Sequence, residues 1–189
     1  CRRFDAPLWM TRGEFLTAYT PYQAEASQGT LQVIYEFQTL ISNLYGMEVA
    51  NAGMYDGATS LAEGVLMACR VTRRHQVAVT DTLSPTYLQV IRTYCQAQGM
   101  EIQRVAPSHP EVDTQTACLV AQWPNYYGYI EDLAGLTATA HSQGALLVLS
   151  ADPIAMGLFQ PPGQYGVDIV AGEGQPLGIP PSYGGPYLG

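Results

Sequence analysis

The stretch Gln76-Val-Ala-Val-Thr-Asp-Thr-Leu-Ser-Pro-Thr-Tyr-Leu-Gln-Val-Ile-Arg-Thr-Tyr-Cys-Gln-Ala-Gln-Gly-Met-Glu-Ile-Gln-Arg-Val105 decides the fold. Gln76 to Thr80 reads as a strand. Ser84-Pro85 is an N-cap followed by proline at the first helical position. Thr86 to Gln98 continues as a helix, Gly99 ends it, and Met100 to Val105 is the next strand. Downstream the alternation repeats. Ala117 to Gln122 is a strand, Trp123 to Gly128 a turn, and Ile130 to Ser142 a helix closed by Gly144. Leu146 to Ser150 and Val167 to Ala171 are two more strands. Strands alternating with helices of about 10–15 residues imply βαβ units and a largely parallel sheet. Right-handed crossovers place helices on both faces, and the apolar runs Val77-Ala-Val79 and Ala145-Leu-Leu-Val-Leu149 suit burial on both sides. The expected architecture is an α/β three-layer sandwich with a mainly parallel sheet.

Upstream, Leu31, Ile34, Phe37, Leu40, Ile41 and Leu44 recur at helical spacing. They predict a helix from Thr30 to Tyr45, with Thr30 as N-cap and Gly46 as the glycine beyond its end. Glu48 to Ala52 is a short strand or extended segment. A second helix runs from Ala58 to Thr72, capped by Asp56, with Leu61, Val65, Leu66 and Cys69 on its apolar side. Arg70, Arg73 and Arg74 follow at its end, where cations suit the helix dipole. Residues 1–29 read as an N-terminal arm and residues 30–189 as one α/β domain that is truncated at its C-terminus. The N-terminus shows no signal-peptide pattern.

The chain has 189 residues, about one domain. Hydrophobic residues make up 47%, enough for a core, and charged residues only 13%, against about 25% on average. A net charge of −8 is a poor match for a phosphate backbone, so nucleic acid is not an expected partner. No apolar run approaches the roughly 18 residues of a membrane span. The 8 cationic residues are all arginine: Arg2, Arg3, Arg12, Arg70, Arg73, Arg74, Arg92 and Arg104. The chain therefore has no lysine, which excludes Schiff-base chemistry carried by this chain alone and a complete P-loop. Cys1, Cys69, Cys95 and Cys118 form no CxxC pair, and His75, His109 and His141 are scattered. No metal site is expected, and the thiols read as reduced and mostly buried.

Four segments have the composition of ligand sites. In Asn51-Ala-Gly-Met-Tyr-Asp-Gly-Ala-Thr-Ser60 a small-residue turn leads into a helix, which aims free N–H groups and a dipole end at one point. Asp56 competes for those donors, so a plain capped helix start is the simpler reading. Ala151-Asp152-Pro153 follows a strand at the edge where open α/β sheets bind ligands. Asp152 there either pairs with a protonated pyridine nitrogen or begins a turn. Tyr19-Thr20-Pro21-Tyr22-Gln23 either lines a polar pocket or forms a surface arm. The glycines of Gly172 to Gly178 and Gly184-Gly185 imply special backbone angles or a close approach.

Taken together, Glu14 to Gly29, Ala50 to Thr59, Ala151 to Gly157, Asp168 to Gly178 and Tyr183 to Gly189 resemble glycine decarboxylase, the P-protein of the glycine cleavage system. The likeness covers residues 12 to 189 and is closest to subunit 1 of the two-chain bacterial form. The resemblance implies the fold of the aspartate aminotransferase type of pyridoxal-phosphate enzymes (fold type I), here a partial large domain. It implies a bacterial, cytoplasmic enzyme that decarboxylates glycine and passes the aminomethyl group to the lipoyl arm of H-protein. It assigns the cofactor lysine to a partner, subunit 2, with none held covalently here. The lysine position falls at Pro176 in this chain. Asp152 and the Asp56, Gly57 and Thr59 positions become vestiges of the cofactor site, while Tyr19, Thr20, Tyr22 and Gln23 are expected in the wall of a shared active site. The alternative is a catalytically inactive binding or scaffold domain that kept the fold.

Overall fold

A computed structural model describes residues 11–13 and 20–189. These residues form two compact units, one reaching to Asn43 and including Glu48–Ala52, the other comprising Leu44–Met47 and Gly53–Gly189. In the first unit the main element is α1 (Gln28–Tyr45), whose last residues belong to the second. The helix starts two residues before the expected Thr30, because the carbonyl of Ser27 already accepts from the Leu31 N–H. Gly46 follows with φ of 67°, as a residue closing a helix requires. No strand forms over Glu48–Ala52: the Ala50 carbonyl takes the Gln38 side-chain amide at 2.8 Å instead of a ladder partner.

The second unit holds α2 (Gly57–Thr72), β1 (Gln76–Thr80), α3 (Pro85–Gln96), β2 (Glu101–Val105), β3 (Thr116–Trp123), α4 (Leu133–Ser142), β4 (Leu146–Ala151) and β5 (Ile169–Ala171). The strands form a five-stranded sheet in the order β2-β1-β3-β4-β5, parallel throughout. β1 to β2 steps one way along the sheet and β3 to β4 the other. Right-handed crossovers then put α3 and α4 on opposite faces, which gives the three layers expected from sequence. On one face Val77, Val79, Cys118, Val120 and Val148 pack with Leu61, Val65, Leu88 and Ile91 of α2 and α3. Alternation turns Leu119, Leu147 and Leu149 to the other face, where α4 supplies Leu133, Leu136 and Ala140; all are buried.

Helix α4 begins at Leu133 under Asp132, whose carboxylate accepts from the Gly135 N–H at 3.1 Å. That is three residues later than the pattern predicts, because Tyr129 is held in the turn by the Asn125 N–H and Asp132 is the residue that caps the first helical turn. At the amino-terminal edge of the sheet one Arg74 nitrogen donates to the carbonyls of Thr116 (2.8 Å) and Gln143 (2.9 Å), which ties the starts of β3 and β4. His141, one of the three scattered histidines, pairs with Asp168 at 2.8 Å; the same carboxylate accepts from the Leu147 N–H. Cys69, Cys95 and Cys118 are free and buried. Burial pushes the Cys95 thiol up to about 11.

Candidate functional site

In an open parallel sheet the ligand crevice lies beyond the carboxyl ends of the strands, where the order of crossovers reverses. Here that point lies between β1 and β3. Around it sit the segment after β1, the turn after β3, Asp152 after β4, Gly172-Glu173 after β5, and the N-terminus of α2.

The start of α2 is capped by a capping box and by a distant carboxylate. Asp56 is extended (φ −155°), and its carboxylate accepts from the Thr59 N–H at 2.7 Å. The Thr59 hydroxyl accepts in return from the Asp56 N–H at 3.2 Å, completing a capping box. The next donor, the Gly57 N–H, meets Oε2 of Glu173 at 3.0 Å. The other oxygen of Glu173 accepts from the N–H groups of Gln175 and Leu188, both at 2.9 Å. The last residues close over this point. Met54 and Gly189 exchange backbone bonds of 2.7 and 2.9 Å, and Gly174 donates to the Leu188 carbonyl at 2.6 Å. Gly57 is glycine because of close approach: a Cβ there would lie 2.7 Å from the Tyr87 hydroxyl and 3.0 Å from the Glu173 backbone nitrogen. Burial holds the Tyr87 phenol above its ordinary range, and the carboxylates of Glu173, Asp56 and Asp152 raise it further, with Tyr187 adding to them.

The crossover point is also bonded mostly within the chain, apart from the buried Trp123 Nε1 at the end of β3, which has no hydrogen-bond partner. Gln122 Oε1 accepts from the Ser84 N–H at 2.8 Å. Ser84 is the N-cap of α3, but its side chain caps no helix N–H and instead shares a hydrogen bond of 2.9 Å with the Thr86 hydroxyl. Glu131 Oε1 takes the Thr82 hydroxyl at 3.0 Å and the Asn125 amide at 2.5 Å. Asn125 Oδ1 in turn accepts from the N–H groups of Tyr127 and Tyr129, both at 3.0 Å. This network holds the turn rigid while Tyr126, Tyr127 and Tyr129 stand exposed on it.

Asp152 lies at the end of β4 as expected, and its carboxylate accepts from the Ile154 N–H at 2.9 Å, the bond of a turn-initiating aspartate. Beside it the Tyr45 hydroxyl donates to the Ala151 carbonyl at 3.0 Å. Pro176 sits exposed in a short 3-10 turn, Gln175–Leu177. Asp56, Gly57 and Thr59 are thus brought together with Glu173, and Pro176 follows three residues after it. Tyr19 lies outside the described residues. Thr20, Tyr22 and Gln23 are exposed and belong to the first unit; the Tyr22 N–H donates to the Thr20 carbonyl at 2.8 Å. Sequence reasoning missed Glu173 and Tyr87. The one available signal for Glu173 was a carboxylate flanked by glycines in Gly172-Glu173-Gly174.

A pyridoxal phosphate does not fit the residues of this chain. The amide that would face its phosphate faces a carboxylate, and the space in front of Gly57 is filled. No lysine exists to hold its aldehyde. Among the described residues there is no group of three or more His, Cys, Asp or Glu placed to hold a metal, and no helix long and apolar enough to cross a membrane.

A family model described as glycine cleavage system P-protein matches residues 8–189. A protein of Desulforamulus reducens named probable glycine dehydrogenase (decarboxylating) subunit 1 is 53% identical, over 95% of this chain and 42% of its own length. The equivalent protein of Thermomicrobium roseum, with the same name, is 55% identical over 96% of this chain and 43% of its own. The chain therefore spans less than half the length of these curated relatives. A crystal structure of glycine decarboxylase (P-protein) of the glycine cleavage system, in inhibitor-bound form, superposes with a TM-score of 0.89 at 48% identity. The match covers 96% of this chain and 44% of that one. A cysteine desulfurase of Escherichia coli, 15% identical with a TM-score of 0.64 over 96% of this chain and 48% of that one, shares the fold.

Proposed function

Because the chain belongs to the glycine cleavage system P-protein family, we propose that it is the lysine-free part of a two-subunit glycine dehydrogenase (decarboxylating), working with a lysine-bearing second subunit. The observation that carries the reading is the pairing of 53% identity to a subunit 1 relative with the complete absence of lysine. An enzyme that decarboxylates an amino acid through a pyridoxal group needs a lysine to hold that group; these 189 residues do not supply it, and the reading assigns it to the second subunit. The same assembly passes the aminomethyl group to a lipoyl H-protein and works in a bacterial cytoplasm.

In this assembly the chain contributes surroundings and not a nucleophile. Its α/β domain, residues 30–189, carries the rigid carboxyl edge. The segment Tyr19, Thr20, Tyr22 and Gln23, within the arm of residues 1–29, contributes hydroxyl and amide groups to the wall of the partner's site. Asp56, Gly57, Thr59, Asp152 and Pro176 hold this chain's own fold together and touch no substrate.

The test is the visible absorption spectrum of the full chain with pyridoxal phosphate, alone and with the lysine-bearing subunit and glycine. The expected result is no cofactor band from this chain alone and a glycine-responsive band that needs both subunits. A partner spectrum and glycine response unchanged by this chain would overturn the reading in favour of an inactive scaffold.

A further inference from the structure

The first turn of a helix leaves N–H groups without intrahelical partners, and an anion is what they attract. At α2 the anion comes from the chain itself, 116 residues away in sequence. We propose that Glu173 is the built-in anion of this site: its carboxylate stands where a ligand phosphate would, and it ties three stretches of chain into a closed, ligand-free copy of the fold. The inference goes beyond the assembly proposed above and does not depend on it.

Three observations converge. Both carboxylate oxygens are used, one on the Gly57 N–H and the other on the N–H groups of Gln175 and Leu188. A single side chain thus joins the start of α2, the turn after β5 and the last residues. Secondly, the space is filled: the Tyr87 hydroxyl and the Glu173 backbone come so close to Gly57 that a single added methyl would collide with them. Thirdly, the closure is reinforced without the carboxylate. The pairs Met54–Gly189 and Gly174–Leu188 bring the last residues onto the same spot. A phosphate dianion arriving here would have to displace a charge-assisted bond. It would also meet the Asp56 carboxylate, already bound to the Thr59 N–H.

The experiment uses amide NMR on the full chain, with inorganic phosphate as the probe. In the unaltered protein the Gly57 and Ala58 amides are expected not to move with millimolar phosphate; a saturable shift at Gly57 overturns the proposal. Glu173→Gln keeps the volume but turns one acceptor into a donor. The one remaining oxygen cannot serve both sides, so amide exchange should speed up either at Gly57 or at Gln175 and Leu188, roughly tenfold to a hundredfold, with β3 and β4 unchanged. Retained protection at all three overturns it. In Glu173→Ala the Gly57 amide should lose protection yet still ignore phosphate, because the Tyr87 hydroxyl and the backbone pairs keep the space filled. A folded Glu173→Ala chain whose Gly57 amide stays protected overturns the proposal, and should that variant fail to fold, the exchange rates of Glu173→Gln decide.

Discussion

The two edges of the sheet are finished by the same kind of bond for what are ordinarily different reasons. At the amino-terminal edge Arg74 gathers the carbonyls of Thr116 and Gln143, and Asp168 gathers His141 and the Leu147 N–H. In open α/β folds this edge carries structure, and the carboxyl edge is left for a ligand. Here the carboxyl edge is finished too. Glu173 gathers the N–H groups of Gly57, Gln175 and Leu188, and Asn125 and Glu131 gather the turn after β3. The parallel order of the sheet is the ordinary one of such folds, so what distinguishes this edge is its side chains and not its architecture. The scaffold is kept, and the side chains at its reactive edge answer one another.

If both edges are structural, breaking either should cost stability. The largest expected effect is at the amino edge. Arg74→Met keeps much of the side-chain stem but removes a charged donor shared by two carbonyls, and bonds to charged groups are worth about 1.5–3 kcal/mol. A loss of about 2–3 kcal/mol in urea unfolding is expected, with amide exchange at Gly57 and Leu188 unaltered. A loss under about 0.5 kcal/mol would show that water replaces the guanidinium and that this edge is not held as described. At the carboxyl edge, Asp56→Ala removes the cap of α2 and should cost about 1 kcal/mol, within the roughly 0.5–2 kcal/mol range for such caps. Thr59→Val in the same background should add little, because the two residues form one reciprocal cap. Additive losses would break that reading.

What the sequence showed and what it hid divide along the same line. β1 was legible as Gln76–Thr80 and the cap of α2 as Asp56, because each is decided by its neighbours in sequence. Asp152 was placed correctly at a strand end, and the turn reading offered for it matches the bond from the Ile154 N–H. Glu173 was hidden because its meaning depends on Gly57, 116 residues away, and no local pattern encodes that encounter. The start of α4 was misplaced for a related reason: Ile130 continues the apolar pattern, yet Asn125 holds Tyr129 in the preceding turn and Asp132 caps the helix. Of the two readings of Glu48–Ala52, a short strand or an extended segment, the strand does not form, because without a neighbouring ladder its groups find other partners, as Ala50 does with Gln38. Local elements follow local chemistry, whereas the fate of a charged side chain at the sheet edge is decided by topology.

The smallest expected effect at neutral pH sharpens the comparison most, because it separates burial from charge. Burial raises the Tyr87 phenol, and so do the carboxylates of Glu173, Asp56 and Asp152. Burial, with Asp152 and Tyr87 adding to it, does the same to Tyr45. In both cases the folded protein prefers the neutral phenol. A tyrosine in the unfolded chain ionises near pH 10, so above that pH the unfolded state holds fewer protons than the folded one. Stability is then full below about pH 10 and falls as pH rises through the folded values. Tyr87→Phe should leave unfolding at pH 7 nearly unchanged and flatten the alkaline fall. Tyr45→Phe should flatten it too, at the cost of the bond to the Ala151 carbonyl, about 1 kcal/mol at every pH. Adding Glu173→Gln to the unaltered Tyr87 background should also make the fall shallower, since one of the carboxylates raising the phenol is gone. Thermal midpoints measured from pH 8 to pH 11 decide it. If the alkaline slope of Tyr87→Phe matches that of the unaltered chain, the phenol does not sit among those carboxylates, and the carboxyl edge is not the closed acidic cluster described here.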